Sequence, residues 1–221
     1  MYKAIVFDLD GTITDSSRSV KQAAKYTLKQ MNLPTQTDSK LDELMNYSPL
    51  KEALKVVCGL NDETAQECCN VFKKYYSENS ESLLSLTRIY DGIKEVLYKL
   101  NQEKCKLGIT THKHQEQTNN MLNSFDITSF FSSVCGSDHE YSLSKGQLLL
   151  KCIDELGSKP ETTVYIGDSR YDAMAAQYAK CDFIAVTYGY GFKNPSNAKE
   201  FTSYVAASPL QILEFLRLNK P

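Results

Sequence analysis

Five short apolar runs recur along the chain, together rich in Ile and Val: Lys3–Phe7, Lys106–Thr110, Phe131–Cys135, Thr162–Ile166 and Phe183–Thr187. Runs of that length, bounded by polar residues, predict strands. Between most of them the apolar positions recur at helical spacing, which predicts helices over Gly92–Gln102, His114–Ser124, Ser144–Leu156 and Tyr171–Ala179. Asp91 stands where an N-cap would open the first of these. Strand–helix alternation of this kind predicts an α/β fold, a Rossmann-like parallel sheet with helices on both faces. The tail alternates weakly, with a short edge strand expected at Ser203–Ala206 and a closing amphipathic helix at Pro209–Leu218.

One stretch breaks the alternation. From the first strand to Asp91, about eighty residues carry no strand pattern, and Ser17–Met31, Ser39–Met45, Leu50–Val57 and Asp62–Ser77 all have helical periodicity. Pro34, Pro49 and Gly59 punctuate them, and the Ser/Asn-rich run Ser77–Ser85 reads as a returning hinge. The expected organisation is a catalytic core of residues 1–15 and 86–221 with an all-helical cap domain, 16–85, over the sheet's edge.

Composition narrows the function classes. With 25 Lys and Arg against 27 Asp and Glu, the net charge of −2 provides no general attraction for nucleic acid or acidic membranes, so any anion must be bound at a local site. No apolar run approaches the ~18–20 residues of a membrane span. The opening Met1-Tyr2-Lys3-Ala4-Ile5-Val6-Phe7-Asp8 lacks a signal peptide's pattern. Seven scattered cysteines without a Cys-x-x-Cys pair suit reduced thiols rather than a disulfide framework or a zinc site. A cytoplasmic location is expected.

Four segments carry chemistry. Asp8-Leu9-Asp10-Gly11-Thr12 follows the first strand, and ligands of open parallel sheets bind outside the carboxyl ends of strands. Gly11 eases a turn that would let both carboxylates reach a substrate, although such a pair also serves as a solvated turn. Gly167-Asp168-Ser169-Arg170-Tyr171-Asp172 follows the fourth strand, where Asp168 or Ser169 is equally an ordinary helix cap and Asp172 an ordinary first-turn acid. If the first and fourth strands are neighbours, Asp8, Asp10 and Asp168 converge. Two charges ~4 Å apart repel by roughly 4 kcal/mol at an effective dielectric of 20, so the cluster calls for a cation, and oxygen-only ligands point to Mg²⁺. Gly108-Ile109-Thr110-Thr111-His112-Lys113 ends another strand with a hydroxyl and backbone amides suited to phosphate oxygens. Lys145 opens a helix, where its charge opposes the helix dipole.

On these motifs the chain resembles the haloacid dehalogenase superfamily, in its phosphoglycolate phosphatase-like branch. Asp8-Leu9-Asp10-Gly11-Thr12 matches the first family motif, Thr111 the second, Lys145 the third, and Gly167-Asp168 through Asp172 the fourth. Arg88–Gly92 and Val186–Gly191 are similar to flanking stretches in that branch. Three positions depart from the pattern: His112 stands where relatives often carry Asn, Gly146 where Pro follows the lysine, and Asp91 where Pro is usual.

The resemblance implies a Mg²⁺-dependent phosphatase acting on a small phosphorylated metabolite. Asp8 would be the nucleophile and Asp10 the general acid and base. Mg²⁺ would be held by Asp8, the backbone carbonyl of Asp10, and Asp168. Thr111 and Lys145 would bind the phosphoryl group, with Leu9, Asp10 and His112 (through its backbone amide) also among the phosphate contacts, and Asp172 would orient Lys145 or a water from behind. Arg18, Tyr47, Ser48 and Lys51 are the cap residues expected to meet the leaving group. A phosphomutase or phosphotransferase on the same scaffold, a silent phosphate-binding module and a metal-dependent nucleotide-sugar transferase are the rivals. A monomer or homodimer is expected.

Overall fold

The computed structural model describes residues 2–47, 49–138 and 142–218. In chain order its elements are β1 (Ala4–Phe7), β2 (Thr14–Asp15), α1 (Ser17–Gln30), α2 (Asp38–Asp42), α3 (Leu50–Cys58), α4 (Asp62–Glu78), α5 (Ser80–Leu84), β3 (Arg88–Ile89), α6 (Ile93–Gln102), β4 (Lys106–His114), α7 (Gln115–Ser124), β5 (Ser133–Ser137), α8 (Lys145–Glu155), β6 (Thr163–Gly167), α9 (Arg170–Ala179), β7 (Asp182–Val186), α10 (Pro195–Lys199), β8 (Val205–Ala206) and α11 (Pro209–Leu218). The chain divides into two compact units, Met1–Thr14 with Ile89–Pro221, and Asp15–Arg88.

The first unit is built on a six-stranded sheet of order β5-β4-β1-β6-β7-β8, parallel throughout. β1 is flanked on both sides, Phe7 pairing with Ile109 of β4 and with Ile166 of β6. All four of its residues are buried, as a strand covered on both faces requires. The chain runs outward from β1 to β4 and β5, then crosses to β6, β7 and β8 on the other side, so the strand order reverses at β1. A crevice outside the carboxyl ends of the strands opens at such a switch point. On one face, α8 and α9 close the core through Leu148, Leu149, Cys152, Ile153, Ala173 and Ala176, packed on Val6, Tyr165 and Phe183 of the sheet.

The second unit is helical and has its own core. Ala23, Ala24 and Leu28 of α1 pack with Ala53, Leu54 and Val57 of α3, Cys68, Cys69 and Phe72 of α4, and Leu83 of α5. Gly59, in the left-handed region at φ 66°, ends α3, and the Asn61 side chain accepts from the Thr64 amide to start α4. Among the described residues, no helix of either unit is long and apolar enough to cross a membrane.

Several expected boundaries differ. The run Ser77–Ser85 is not an open hinge, because α4 continues to Glu78 and α5 follows at once. Two-residue strands β2 and β3, paired with each other, are too short to leave an alternation in the sequence. α6 begins at Ile93 with Gly92 as its N-cap, at φ 92°, so Asp91 does not cap it. β4 runs on to His114, past the expected end at Thr110, with an irregular register between Thr110 and His114.

The glycine at 108 sets how closely α8 lies on β4. A Cβ there would meet Cys152 Sγ at 2.5 Å and Leu156 Cδ1 at 3.0 Å. Gly108→Val therefore overpacks the sheet–helix layer and is expected to lower stability by roughly 1–3 kcal/mol or more. Urea unfolding measures this; an unchanged midpoint would contradict the packing.

Candidate active site

Two turns at the carboxyl ends of β1 and β6 make the site. After Phe7, the Asp8 amide still donates to Ile166 O at 2.8 Å, which keeps Asp8 in sheet register beside β6. The chain then folds around a single carbonyl: Leu9 O accepts from the amides of Ile13 and Thr14, both at 2.9 Å. Gly11 adopts φ 93°, and a Cβ on it would collide with the Asp168 carboxylate. Only a glycine lets that carboxylate press against the turn.

β6 ends in Gly167, and Ser169 then caps α9 in a reciprocal capping box with Asp172. The Asp172 carboxylate is fully engaged. Its Oδ2 accepts from Ser169 N at 3.0 Å and Ser169 Oγ at 2.6 Å, and its Oδ1 from Tyr165 Oη at 2.9 Å and Lys145 Nζ at 2.6 Å. Those four contacts account for the acceptor capacity of a carboxylate. Asp172 is wholly buried, so the capping reading of the sequence describes its backbone role while its outer oxygen holds the lysine.

Lys145, at the start of α8, reaches back to 2.8 Å from Asp8 Oδ1. Its placement against the helix dipole is offset by these two carboxylates. Burial opposes its charge, but Asp172 and Asp8 outweigh burial and hold the ammonium above its ordinary range. Asp8 is pushed the other way, well above the usual carboxylate value, because burial and the neighbouring Asp172 and Asp168 outweigh the attraction of Lys145. Asp168 is raised to about 7 by burial and by Asp172, against the pull of the Tyr190 and Gly191 amides on its Oδ2 at 2.6 and 3.0 Å.

Carboxylate oxygens of Asp8, Asp168 and Asp172 lie within 4.8 Å of one another. Asp10, expected beside them, does not join this cluster with its carboxylate: Oδ2 lies 3.2 Å from Lys113 Nζ and Oδ1 accepts from Thr14 Oγ1 at 3.4 Å. Leu9 is buried in the core, which leaves its backbone as the part able to meet a ligand. Thr111 is buried on the extension of β4, its hydroxyl accepting from Lys113 N at 3.1 Å. Burial and the charge of Lys145 lower His112 to about 4, so its imidazole is neutral. In the helical unit, Arg18 is exposed on α1, Tyr47 is half-buried and Lys51 is paired with Asp62 at 2.6 Å; Ser48 lies outside the described residues. The glycine at 146, a departure from the family pattern, faces the Tyr178 ring, which a Cβ would approach to 2.6 Å.

Four residues that shape the site carry no sign of that role in the sequence. Tyr165 sits mid-strand in an apolar run and reads as core, yet its hydroxyl steadies Asp172. Gly189 and Gly191 belong to a loop that wraps Asp168, and a Cβ at 189 would strike Gly11 O. Lys113 passed as a strand-end lysine.

A family model described as "Haloacid dehalogenase-like hydrolase" matches residues 5–186. The chain belongs to that family. A phosphoglycolate phosphatase from Vibrio vulnificus is 27% identical over 225 residues, spanning 98% of this chain and 97% of its relative. Among solved structures, a haloacid dehalogenase-like family hydrolase from Streptococcus pneumoniae has a TM-score of 0.87 at 25% identity, covering 97% of this chain and 98% of that one. The tyrosine-protein kinase PtkA of Mycobacterium tuberculosis is 29% identical over 188 residues, 85% of this chain and 62% of its own length. This haloacid dehalogenase-like hydrolase is thus an enzyme similar to proteins named as phosphoglycolate phosphatases, with its acidic cluster on two turns that the family model spans.

The raised carboxylates make stability depend on pH. A carboxylate whose value is about 7 folded and 3.8 in isolation holds its proton more tightly in the folded chain, so its contribution is lost as pH climbs from about 4 through 7. In EDTA, the wild-type melting temperature is expected to fall across that window relative to Asp168→Asn, which lacks the group. The comparison cancels the other carboxylates, such as the half-buried Asp15, whose lowered value acts in the opposite sense. A wild-type curve parallel to the variant's would contradict the burial-driven shift.

Proposed function

We propose that this chain is a Mg²⁺-dependent phosphatase that hydrolyses a small phosphorylated metabolite in the cytoplasm through an aspartyl-phosphate on Asp8. The observation that carries the reading is the ammonium of Lys145 shared between Asp8 and Asp172, inside a cluster of three buried acids that one ammonium cannot balance.

The residues fit a hard divalent cation. All three clustered donors are carboxylate oxygens, and none is sulfur or nitrogen. Asp172 spends its oxygens on Ser169, Tyr165 and Lys145, so Asp8 and Asp168, with the backbone carbonyl of Asp10, are the groups that would hold Mg²⁺. When bound, the ion would offset the charge of the phosphoryl oxygens and of the acids beneath them.

Asp8 attacks phosphorus, forming its O–P bond as the bond to the leaving alkoxide breaks. Asp10 gives a proton to that alkoxide, then takes one from the water that cleaves the acyl phosphate and releases inorganic phosphate. Lys145 holds the Asp8 carboxylate in place and faces the developing charge on the phosphoryl oxygens, with Thr111 and the backbone near Leu9 and His112 as further contacts. Asp172 keeps the ammonium aimed, and Tyr165 keeps Asp172 aimed.

A phosphoryl transfer to an acceptor other than water uses the same residues, and the similarity to a protein named as a tyrosine kinase favours keeping that second reading. Phosphate release from a panel of phosphoglycolate, nucleoside monophosphates, pyrophosphate and sugar phosphates, with and without Mg²⁺, separates the two. Free phosphate should appear only with the ion and need no acceptor. Asp8→Asn should fall to background. Lys145→Ala should lose at least tenfold in kcat/KM, or ~1.4 kcal/mol. Substantial turnover by Asp8→Asn would overturn the assignment of the nucleophile.

A further inference from the structure

The core holds two lysines beside catalytic acids, and the mechanism above uses one. Lys113 ends the Thr111-His112-Lys113 stretch on the irregular extension of β4. Its side chain is only 7% exposed, less than that of Lys145 at 12%. An ammonium so far removed from water needs an anion near it. Its nitrogen lies 3.2 Å from Asp10 Oδ2, while Thr14 Oγ1 donates to the other oxygen at 3.4 Å. Lys145 serves a different pair, Asp8 and Asp172. The two cations are therefore divided between the two jobs that the phosphatase reading gives to Asp8 and Asp10.

Resting on that reading, we propose that Lys113 is a positioning residue that holds the Asp10 carboxyl in the orientation from which it delivers a proton to the leaving oxygen. A group that hands over a proton must be fixed within hydrogen-bond reach of its target. A carboxyl gripped at both oxygens loses the side-chain rotation that would otherwise take it away from the leaving group. Thr14 alone, at 3.4 Å, is a weak anchor. The ammonium is the stronger one, and the backbone that carries it is tied down, Lys113 N donating to Thr111 Oγ1 at 3.1 Å.

The test turns on the leaving group. kcat/KM reports the steps through phosphoenzyme formation, in which an alkyl alkoxide needs a proton and nitrophenolate does not. Lys113→Met is expected to lower kcat/KM for an alkyl phosphate by at least about thirtyfold, a part of the roughly 10²–10⁴-fold that general acid catalysis contributes, through kcat rather than KM. For p-nitrophenyl phosphate the loss in kcat/KM should be several times smaller. Lys113→Arg should recover most of the alkyl phosphate activity. Thermal melts verify folding, and Lys113→Gln gives the same comparison if the Met variant does not fold. Equal losses on both substrates, a rise in KM with kcat preserved, or no loss would each overturn the proposal while leaving the phosphatase reading intact. A wild-type enzyme inactive on every phosphomonoester would instead overturn the phosphatase reading, and this assignment with it.

Discussion

Three carboxylates with oxygens within 4.8 Å of one another, all shielded from water, repel each other strongly, and one ammonium cannot balance them. At an effective dielectric of 20, each pair ~4 Å apart costs roughly 4 kcal/mol. The chain tolerates this because every acid is tied down by groups that favour its charge. Asp168 takes two backbone amides, Asp172 takes Ser169 and Tyr165, and Asp8 and Asp172 share Lys145. What remains is a surplus of negative charge at the carboxyl end of the central strand. On the proposed reading, a divalent cation would relieve that surplus and let a phosphoryl group approach whose own charge would otherwise be repelled.

The sheet brings these groups together and buries the acids of the cluster. A parallel sheet with β1 between β4 and β6 puts the ends of three strands side by side. Glycines then allow approaches no other residue could make: Gly11 under Asp168, Gly167 against Asp172, and Gly189 against the carbonyl of Gly11. Close packing also explains the pKa pattern. Desolvation raises Asp8 and Asp168 and lowers His112, so an imidazole beside Lys145 adds no further positive charge.

The sequence made the strand–helix alternation legible because the central strands β1 and β6 are buried on both faces and so lie in nearly unbroken apolar runs. The acid-bearing turns were legible for a related reason: polar residues directly after such runs stand out. Interactions that depend on three-dimensional closure did not show. Tyr165 looks like any core aromatic until its hydroxyl is seen on Asp172. Asp172 has the local signature of a helix-capping acid, and it is one; only the family resemblance pointed to its hold on a lysine 27 residues earlier in the chain. Residue type alone does not separate Asp8 from Asp10, and only the family resemblance gave them different roles. Their separation into different environments comes from the turn around Leu9 O and from Lys113, whose position depends on how far β4 extends. The Ser/Asn-rich stretch Ser77–Ser85 is largely helical because Leu83 anchors it in the helical unit's core, which outweighs its local composition.

The arrangement of charge around Asp8 is the claim on which the rest depends. A crystal structure grown with magnesium and beryllium fluoride, which mimics a phosphorylated carboxylate, tests it most directly. The account predicts the fluoride adduct on an Asp8 oxygen, the cation between Asp8 and Asp168, and Lys145 within hydrogen-bond distance of a fluorine. An adduct or a cation seated elsewhere, with Asp8 and Asp168 as they are here, would contradict it.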